Sequence, residues 1–300
     1  MVEKAPHISV CICTFKRPEL LRQLLVRLKS QRTDGLFTYS IVVTDNDGAR
    51  SAEPVATEAA ADGALRITYC VEPQQNIALA RNRALEHANG EFVAFIDDDE
   101  FPVDEWLWNL FNLCQSRGVE GVLGPVKPYF EKEPPGWVKD GKFFERPTYA
   151  TGHKMAWSQS RTGNVLFRKG ILVEGEPPFR AHFDTAGEDV DFFRRMTNKG
   201  CTFLWCNEAV AYEVVPASRC TRRYLLRRAL LRGSNFPKHP TRRLVNAAKS
   251  LVAVPCYTLA LPVLALFGQH VLLQYVIKLC DHSSRLLAYL GLRLVTQRET

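Results

Sequence analysis

Apolar positions fall into two alternating rhythms along this chain. Residues 8–13 form a short unbroken apolar run, the signature of a buried strand, and 18–29 carries the spacing of an amphipathic helix started by Pro18. A second strand is predicted over 39–44, ending in the turn-rich Asp45-Asn46-Asp47-Gly48, and a third over 65–71. A helix over 77–87 is closed by Asn89-Gly90, and a fourth strand over 92–96 runs directly into Asp97-Asp98-Asp99. This alternation predicts an α/β fold, with a mostly parallel central sheet covered by helices on both faces.

Beyond residues 121–126, the stretch 128–157 is rich in proline, glycine, aromatic and charged residues. It reads as a long irregular insertion, the form a substrate-facing loop or lid takes. Order returns over 162–168, a helix is predicted over 188–198, and 203–214 offers further strands before a basic helix. From 250 to 277 there is no Asp, Glu, Lys or Arg, which is length enough for a membrane span, although Pro255 and Pro262 are expected to interrupt it. A spanning helix, an interfacial hairpin and a soluble helical tail are all compatible with that pattern. The division predicted is 1–218 as a catalytic domain and 219–300 as a basic helix plus an apolar, membrane-associating extension.

Composition narrows the class. With 300 residues, 46% hydrophobic and 24% charged, the chain has the makeup of a globular protein able to bury a full core. Its net charge of +7 is unevenly placed: Arg219, Arg222, Arg223, Arg227, Arg228, Arg232, Lys238, Arg242 and Arg243 follow one another with no acidic residue between them. Such a block suits phosphate groups or an anionic membrane surface, the alternative being a solvated basic helix. Nucleic acid is not the expected partner, because zinc-finger spacing, an RNA-binding aromatic signature and a second basic face are all lacking. The nine cysteines are scattered and odd in number, so reduced thiols are expected rather than a disulfide framework or a zinc site. The start of the chain carries Glu3 and Lys4 and then enters a strand, so no signal peptide is expected and the catalytic part is placed in the cytoplasm.

Ligands of a parallel sheet collect at the carboxyl ends of its strands, and here those ends carry Thr14, Asp45 and Asp97–Asp99. Three adjacent carboxylates repel one another, and a divalent cation bridging them to a diphosphate would offset that cost; a solvated turn is the plainer alternative. Glu188, Asp189 and Asp191 mark the start of the helix at 188–198. Ordinary capping accounts for them, as does a general base that takes a proton from an attacking hydroxyl. A glycine-rich dinucleotide turn, a phosphate loop and a serine nucleophile elbow are not found.

Four segments in this order resemble one family: Ser9-Val10-Cys11-Ile12-Cys13-Thr14-Phe15-Lys16-Arg17-Pro18, Val43-Thr44-Asp45-Asn46, Asn76-Ile77-Ala78-Leu79-Ala80-Arg81-Asn82 and Phe95-Ile96-Asp97-Asp98-Asp99-Glu100. They are similar to family 2 glycosyltransferases of the GT-A fold, over roughly residues 7–215. The segments 123–126, 162–168 and 187–193 look closest to bacterial exopolysaccharide enzymes, the succinoglycan-biosynthesis β-1,4-glucosyltransferases among them. The resemblance implies a Mg²⁺ or Mn²⁺ ion held by Asp99 with Asp97, and donor-nucleotide contacts from Thr14, Arg17, Asp45, Asn76, Arg81, Asp97 and Asp98. It implies Asp189 as catalytic base, Glu188 and Trp157 on the acceptor, and Arg228 and Arg232 closing over the diphosphate as a flexible lid. The implied partners are a UDP-hexose donor, a lipid-linked oligosaccharide acceptor and the cytoplasmic face of the inner membrane. The Gln-x-x-Arg-Trp motif of processive synthases is missing, which points to one sugar added per acceptor, with inversion. A nucleotidyltransferase and a non-catalytic assembly module are the competing readings.

Overall fold

The computed structural model describes residues 5–183, 187–235, 243–292 and 294–295. The chain forms two compact units, Met1–Lys127 with Arg146–Val214 and Pro128–Glu145 with Val215–Thr300.

The first unit is built around β1 (His7–Thr14), with β2 (Thr38–Asp45) and β4 (Phe92–Ile96) parallel to it on either side. β3 (Ile67–Val71) extends the sheet beyond β2; β8 (Asn164–Arg168), β6 (Gly121–Leu123) and β9 (Phe203–Trp205) extend it beyond β4. β8 is antiparallel to both its neighbours and the remaining pairings of this sheet are parallel, so the mostly parallel sheet is found as expected. A short strand β5 (Glu100–Pro102), just past the acidic triplet, pairs antiparallel with β10 (Ala211–Val215).

Successive residues of the central strands serve opposite layers. Ile8, Val10 and Ile12 pack with Leu21, Leu24 and Leu25 of α1 (Pro18–Leu28) and with Leu107 and Leu110 of α4 (Trp106–Arg117). Cys11, Val42 and Phe95 join Ala78 and Leu85 of α3 (Ile77–His87) and Phe192 of α6 (Glu188–Asn198) on the other side. A strand buried on both faces has no outward polar positions, which is why these segments read as unbroken apolar runs. The predicted elements at 77–87, 92–96 and 188–198 coincide with α3, β4 and α6. Two helices among the described residues of this unit went unanticipated: α2 (Glu53–Ala61) and α4. The signal for α4 was present in the spacing of Trp106, Leu107, Leu110, Phe111 and Cys114, and Gly118, at φ 61°, ends the helix in a left-handed turn.

The chain steps outward from β1 through β2 to β3, then returns to place β4 on the other side of β1. That reversal opens a crevice beyond the carboxyl ends of β1, β2 and β4.

In the second unit, α5 (Gly136–Asp140), α7 (Arg222–Asn235) and α9 (Gln269–Tyr289) share a small core that includes Val138, Phe144, Leu225 and Leu273, and α8 (Arg243–Leu264) lies along α9. The stretch expected to be irregular thus carries β7 (Val126–Phe130) and α5, and part of it belongs to this unit. Also against expectation, α8 is continuous through Pro255 and Pro262, each proline simply omitting one backbone donor. The stretch Leu244–Phe267 is long and apolar enough to cross a membrane, and it is almost bare within the structure.

Candidate active site

The crevice is organised by the ends of the parallel strands. β1 ends at Thr14, whose Oγ1 donates to Asp98 Oδ2 at 2.8 Å. Arg17, at the start of α1, reaches the same cluster and donates from Nη1 to Asp98 Oδ1 at 3.2 Å and Asp99 Oδ2 at 3.3 Å. Asp98 is buried, which pushes its carboxyl up to about 7 against the opposing pull of Arg17. At the end of β2, Asp45 is fully buried and accepts from the backbone N–H of Asp47 at 3.1 Å and of Ala52 at 2.7 Å, and from the Tyr69 hydroxyl at 3.0 Å. Its carboxylate therefore locks the turn leaving the strand.

Asn76 caps α3, its Oδ1 accepting from the N–H of Ala78 and Leu79, while its Nδ2 donates to the Ala181 carbonyl at 2.8 Å. One turn into that helix, Arg81 is buried over the ring of Phe179, paired with Glu188 of α6 and 3.6 Å from Asp97. Burial opposes the charge on Arg81, but Glu188 and Asp97 hold its pKa above the ordinary arginine value. Burial raises the Glu188 carboxyl, Arg81 counters the rise and Asp189 adds to it. Arg81 thus links the triplet to the acidic start of α6, two segments the sequence holds far apart.

The three acids of α6 have separate fates. Gly187, in the N-cap position at φ 104°, offers no side chain to the free N–H groups, and all three acids lie in the first turn, where the helix N-terminus favours negative charge. Asp191 is tied to Arg194 at 3.0 Å and Arg195 at 2.9 Å, a structural role. Glu188 is taken by Arg81, and the half-buried Asp189 accepts from the N–H of Val190 at 2.7 Å. Trp157 is half-buried against the core layer that contains Phe192. Arg228 and Arg232 lie on the regular helix α7 of the second unit, where Arg232 Nε donates to Asp281 Oδ1 at 3.1 Å.

Behind the triplet lies a group that sequence reasoning did not assign. Glu100 is 2% exposed, and neither of its carboxylate oxygens has a hydrogen-bond partner among the described residues. It sits directly across the β5–β10 pair from Glu213, to which Arg146 is salt-bridged. Burial and the nearby Asp97 drive the Glu100 carboxyl well above the usual range. Gly163 makes room for this arrangement: a Cβ there would lie 2.9 Å from Glu100 Oε1 and 3.0 Å from Asp97 Oδ2. The position of Glu100 beside the triplet was the available signal; nothing in the sequence marks Arg146.

Among the described residues, no group of three or more His, Cys, Asp or Glu side chains is gathered as a ready-made metal cage. The donor chemistry nevertheless fits a hard cation completed by substrate phosphates. Asp97 is half-open to solvent and Asp99 follows two residues on, both supplying the hard carboxylate oxygens such a cation takes.

The profile of glycosyl transferase family 2 matches residues 9–172. The chain is 32% identical over 238 residues to the succinoglycan biosynthesis protein ExoM of Rhizobium meliloti, covering 78% of this chain and 75% of that protein. It is 30% identical over 118 residues to the GalNAc(5)-diNAcBac-PP-undecaprenol beta-1,3-glucosyltransferase of Campylobacter jejuni, a match limited to 39% of this chain and 36% of that one. Among solved structures, the S. aureus TarS 1-349 complex with UDP-GlcNAc superposes with a TM-score of 0.55 at 17% identity, covering 74% of this chain and 64% of that one. This last likeness establishes the fold, with its central sheet, as GT-A-like. With a family match over more than half its length and the ExoM relationship beside it, the chain belongs to glycosyl transferase family 2.

Proposed function

We propose that this chain transfers a single hexose, with inversion, from a UDP-sugar to a lipid-linked oligosaccharide, as one step of exopolysaccharide or cell-surface polysaccharide synthesis at the cytoplasmic face of the inner membrane. The observation that carries the reading is the Arg81 bridge, which joins a nucleotide-side carboxylate, Asp97, to the acidic start of α6. Family membership selects glycosyl transfer over the nucleotidyl alternative. UDP-glucose is the favoured donor; the UDP-GlcNAc bound by TarS supports a UDP-sugar, the C. jejuni enzyme's name supports a glucosyl group and a lipid-linked acceptor, and the name of the ExoM relative supports an exopolysaccharide product.

In this reading residues 1–218 are the catalytic domain and 219–300 the membrane-associating part. Thr14, Arg17, Asp45, Asn76, Arg81, Asp97 and Asp98 shape the nucleotide pocket; the buried Asp45 and Asn76 act mainly by fixing its walls. Asp99 with Asp97 would hold Mg²⁺ or Mn²⁺, which supplies positive charge to the departing diphosphate. Asp189 takes the proton of the acceptor hydroxyl while that oxygen bonds to the anomeric carbon and the bond to the diphosphate breaks, releasing UDP. Glu188, anchored by Arg81, positions Asp189 and the acceptor, and Trp157 presents its partly open ring to an acceptor sugar. Diphosphate contacts from Arg228 and Arg232 require Arg232 to leave Asp281.

The test pairs calorimetric titration of UDP and UDP-sugars, with Mn²⁺ or with EDTA, with a transfer assay. Asp189→Asn is expected to lose transfer by about 100-fold or more while keeping metal-dependent nucleotide binding. Near wild-type transfer by that variant removes Asp189 as the base.

A further inference from the structure

We infer that α8 lies flat in the surface of an anionic lipid bilayer and does not cross it, an inference that rests on the membrane association proposed above. The second unit ties α7, α8 and α9 together side by side. Arg222, which begins α7, donates through Nη2 to Oε1 of Gln269, which begins α9, at 2.7 Å. Farther along both helices, Arg232 meets Asp281 at 3.1 Å and the Ser284 hydroxyl donates to the Leu230 carbonyl at 2.6 Å. Gly233 is pressed so close that a Cβ there would stand 2.4 Å from the Asp281 carbonyl oxygen. α7 and α9 therefore run side by side in the same direction. α8 returns along α9, with Ser250 Oγ 2.9 Å from His282 Nδ1 and the Tyr257 ring 5.6 Å from that of Tyr275.

These ties set the levels. The α8–α9 turn is level with Arg222, and Ser250, two turns into α8, is level with the Arg232–Asp281 pair. If α8 crossed a bilayer, α7 would be drawn into the hydrocarbon beside it, carrying Arg222, Arg223, Arg227, Arg228 and Arg232 and no acidic residue. Lying flat removes that conflict. The bare side of the stretch 244–267, with Leu244, Leu251, Leu259 and Leu266 between 62% and 86% exposed, meets acyl chains, while the arginines of α7 stay among water and lipid phosphates. Lys249, the one charged residue of 244–267, can extend its ammonium to the headgroups.

Two measurements on the full chain decide it. In membrane vesicles prepared in both orientations from expressing cells, Gln269→Cys and Thr57→Cys are treated separately with a membrane-impermeant maleimide. Both carry Cys256→Ser, which removes an exposed native thiol. Position 57 is an exposed reference in the catalytic unit, and position 269 is exposed at the turn. The expected result is labelling of both in the same vesicle orientation. Labelling of position 269 only in the opposite orientation, or in neither, overturns the flat placement. Flotation with vesicles of phosphatidylcholine and phosphatidylglycerol tests the underlying reading separately. The triple variant L251Q/L259Q/L266Q is expected to bind about tenfold less, as is the wild type on phosphatidylcholine alone. A wild-type chain that does not float with the anionic vesicles overturns membrane association itself.

Discussion

Replacing Arg81 by alanine leaves Glu188 buried at 4% exposure with no other cation paired to it among the described residues, and the cost of doing so can be bounded. If Glu188 stayed ionised, stripping one partner from a buried pair would cost about 3–5 kcal/mol. The carboxylate has a second option, which is to take a proton. From its ordinary value of 4.5, protonation costs about 1.4 kcal/mol per pH unit, so the ionic penalty is capped at about 3.4 kcal/mol at pH 7 and about 0.7 kcal/mol at pH 5. The sign follows from the direction of the shift. With its folded-state pKa raised, Glu188 binds more proton in the folded than in the unfolded chain, so stability is full below 4.5 and is lost as the pH climbs towards the raised value. Loss of the guanidinium's packing on Phe179 adds a part that does not vary with pH. Urea unfolding of the wild type, Arg81→Ala, Glu188→Gln and the double variant at pH 5 and pH 7 reads this directly. Arg81→Ala should lose markedly more at pH 7, and adding Glu188→Gln should restore most of the difference. Equal losses at both pH values, with no recovery in the double variant, would refute the buried ion pair.

Asp98→Asn should stabilise the free protein more at pH 8 than at pH 5, by a few °C in Tm, because an acid raised from 3.8 to about 7 withdraws stability as the pH climbs from the lower value to the higher; a Tm difference independent of pH would count against it. Gly163→Ala should cost about 1–3 kcal/mol and weaken nucleotide binding, since its methyl displaces the Glu100 and Asp97 carboxylates; thermal unfolding and calorimetry on one preparation check both, and a neutral variant would show that the carboxylates move aside freely. Arg146→Ala should destabilise by about 1 kcal/mol, the partly exposed ion pair being screened by solvent, with partial recovery in Arg146→Lys; an unchanged Tm would remove Arg146 from the support of Glu100.

The strands and the crevice were legible because burial on both faces writes unbroken apolar runs, and each run stops at a polar residue that the sheet then gathers with the others. Thr14 and Asp98 meet for that reason, although 84 positions separate them. Partnerships made by helices were not legible. Arg81 and Glu188 are 107 positions apart, and nothing local to either names the other. Asp45 and Asn76 were visible as residues, but their commitment to backbone donors and acceptors depends on turns that only the folded chain displays. α2 escaped because its alanines give little contrast between faces, and the continuity of α8 escaped because a proline removes one hydrogen bond without forbidding the turn around it.

Asn164 begins β8, and its side chain closes three separate gaps. It accepts from the indole N–H of Trp106 at 2.8 Å and donates to the carbonyls of Pro125 at 3.0 Å and Ala209 at 2.8 Å. Gly124 lies against the same amide, where a Cβ would stand 2.2 Å from the Ala209 oxygen. One amide therefore works as a gauge block, setting the separation of α4, the segment after β6 and the segment before β10 to a tolerance smaller than a methylene. Glutamine at this position would carry the right chemistry at the wrong length, and aspartate would turn two donated bonds into oxygen–oxygen repulsion. Variation among proteins built this way should pass around that residue and collect in the stretch 128–157, whose length no such gauge fixes.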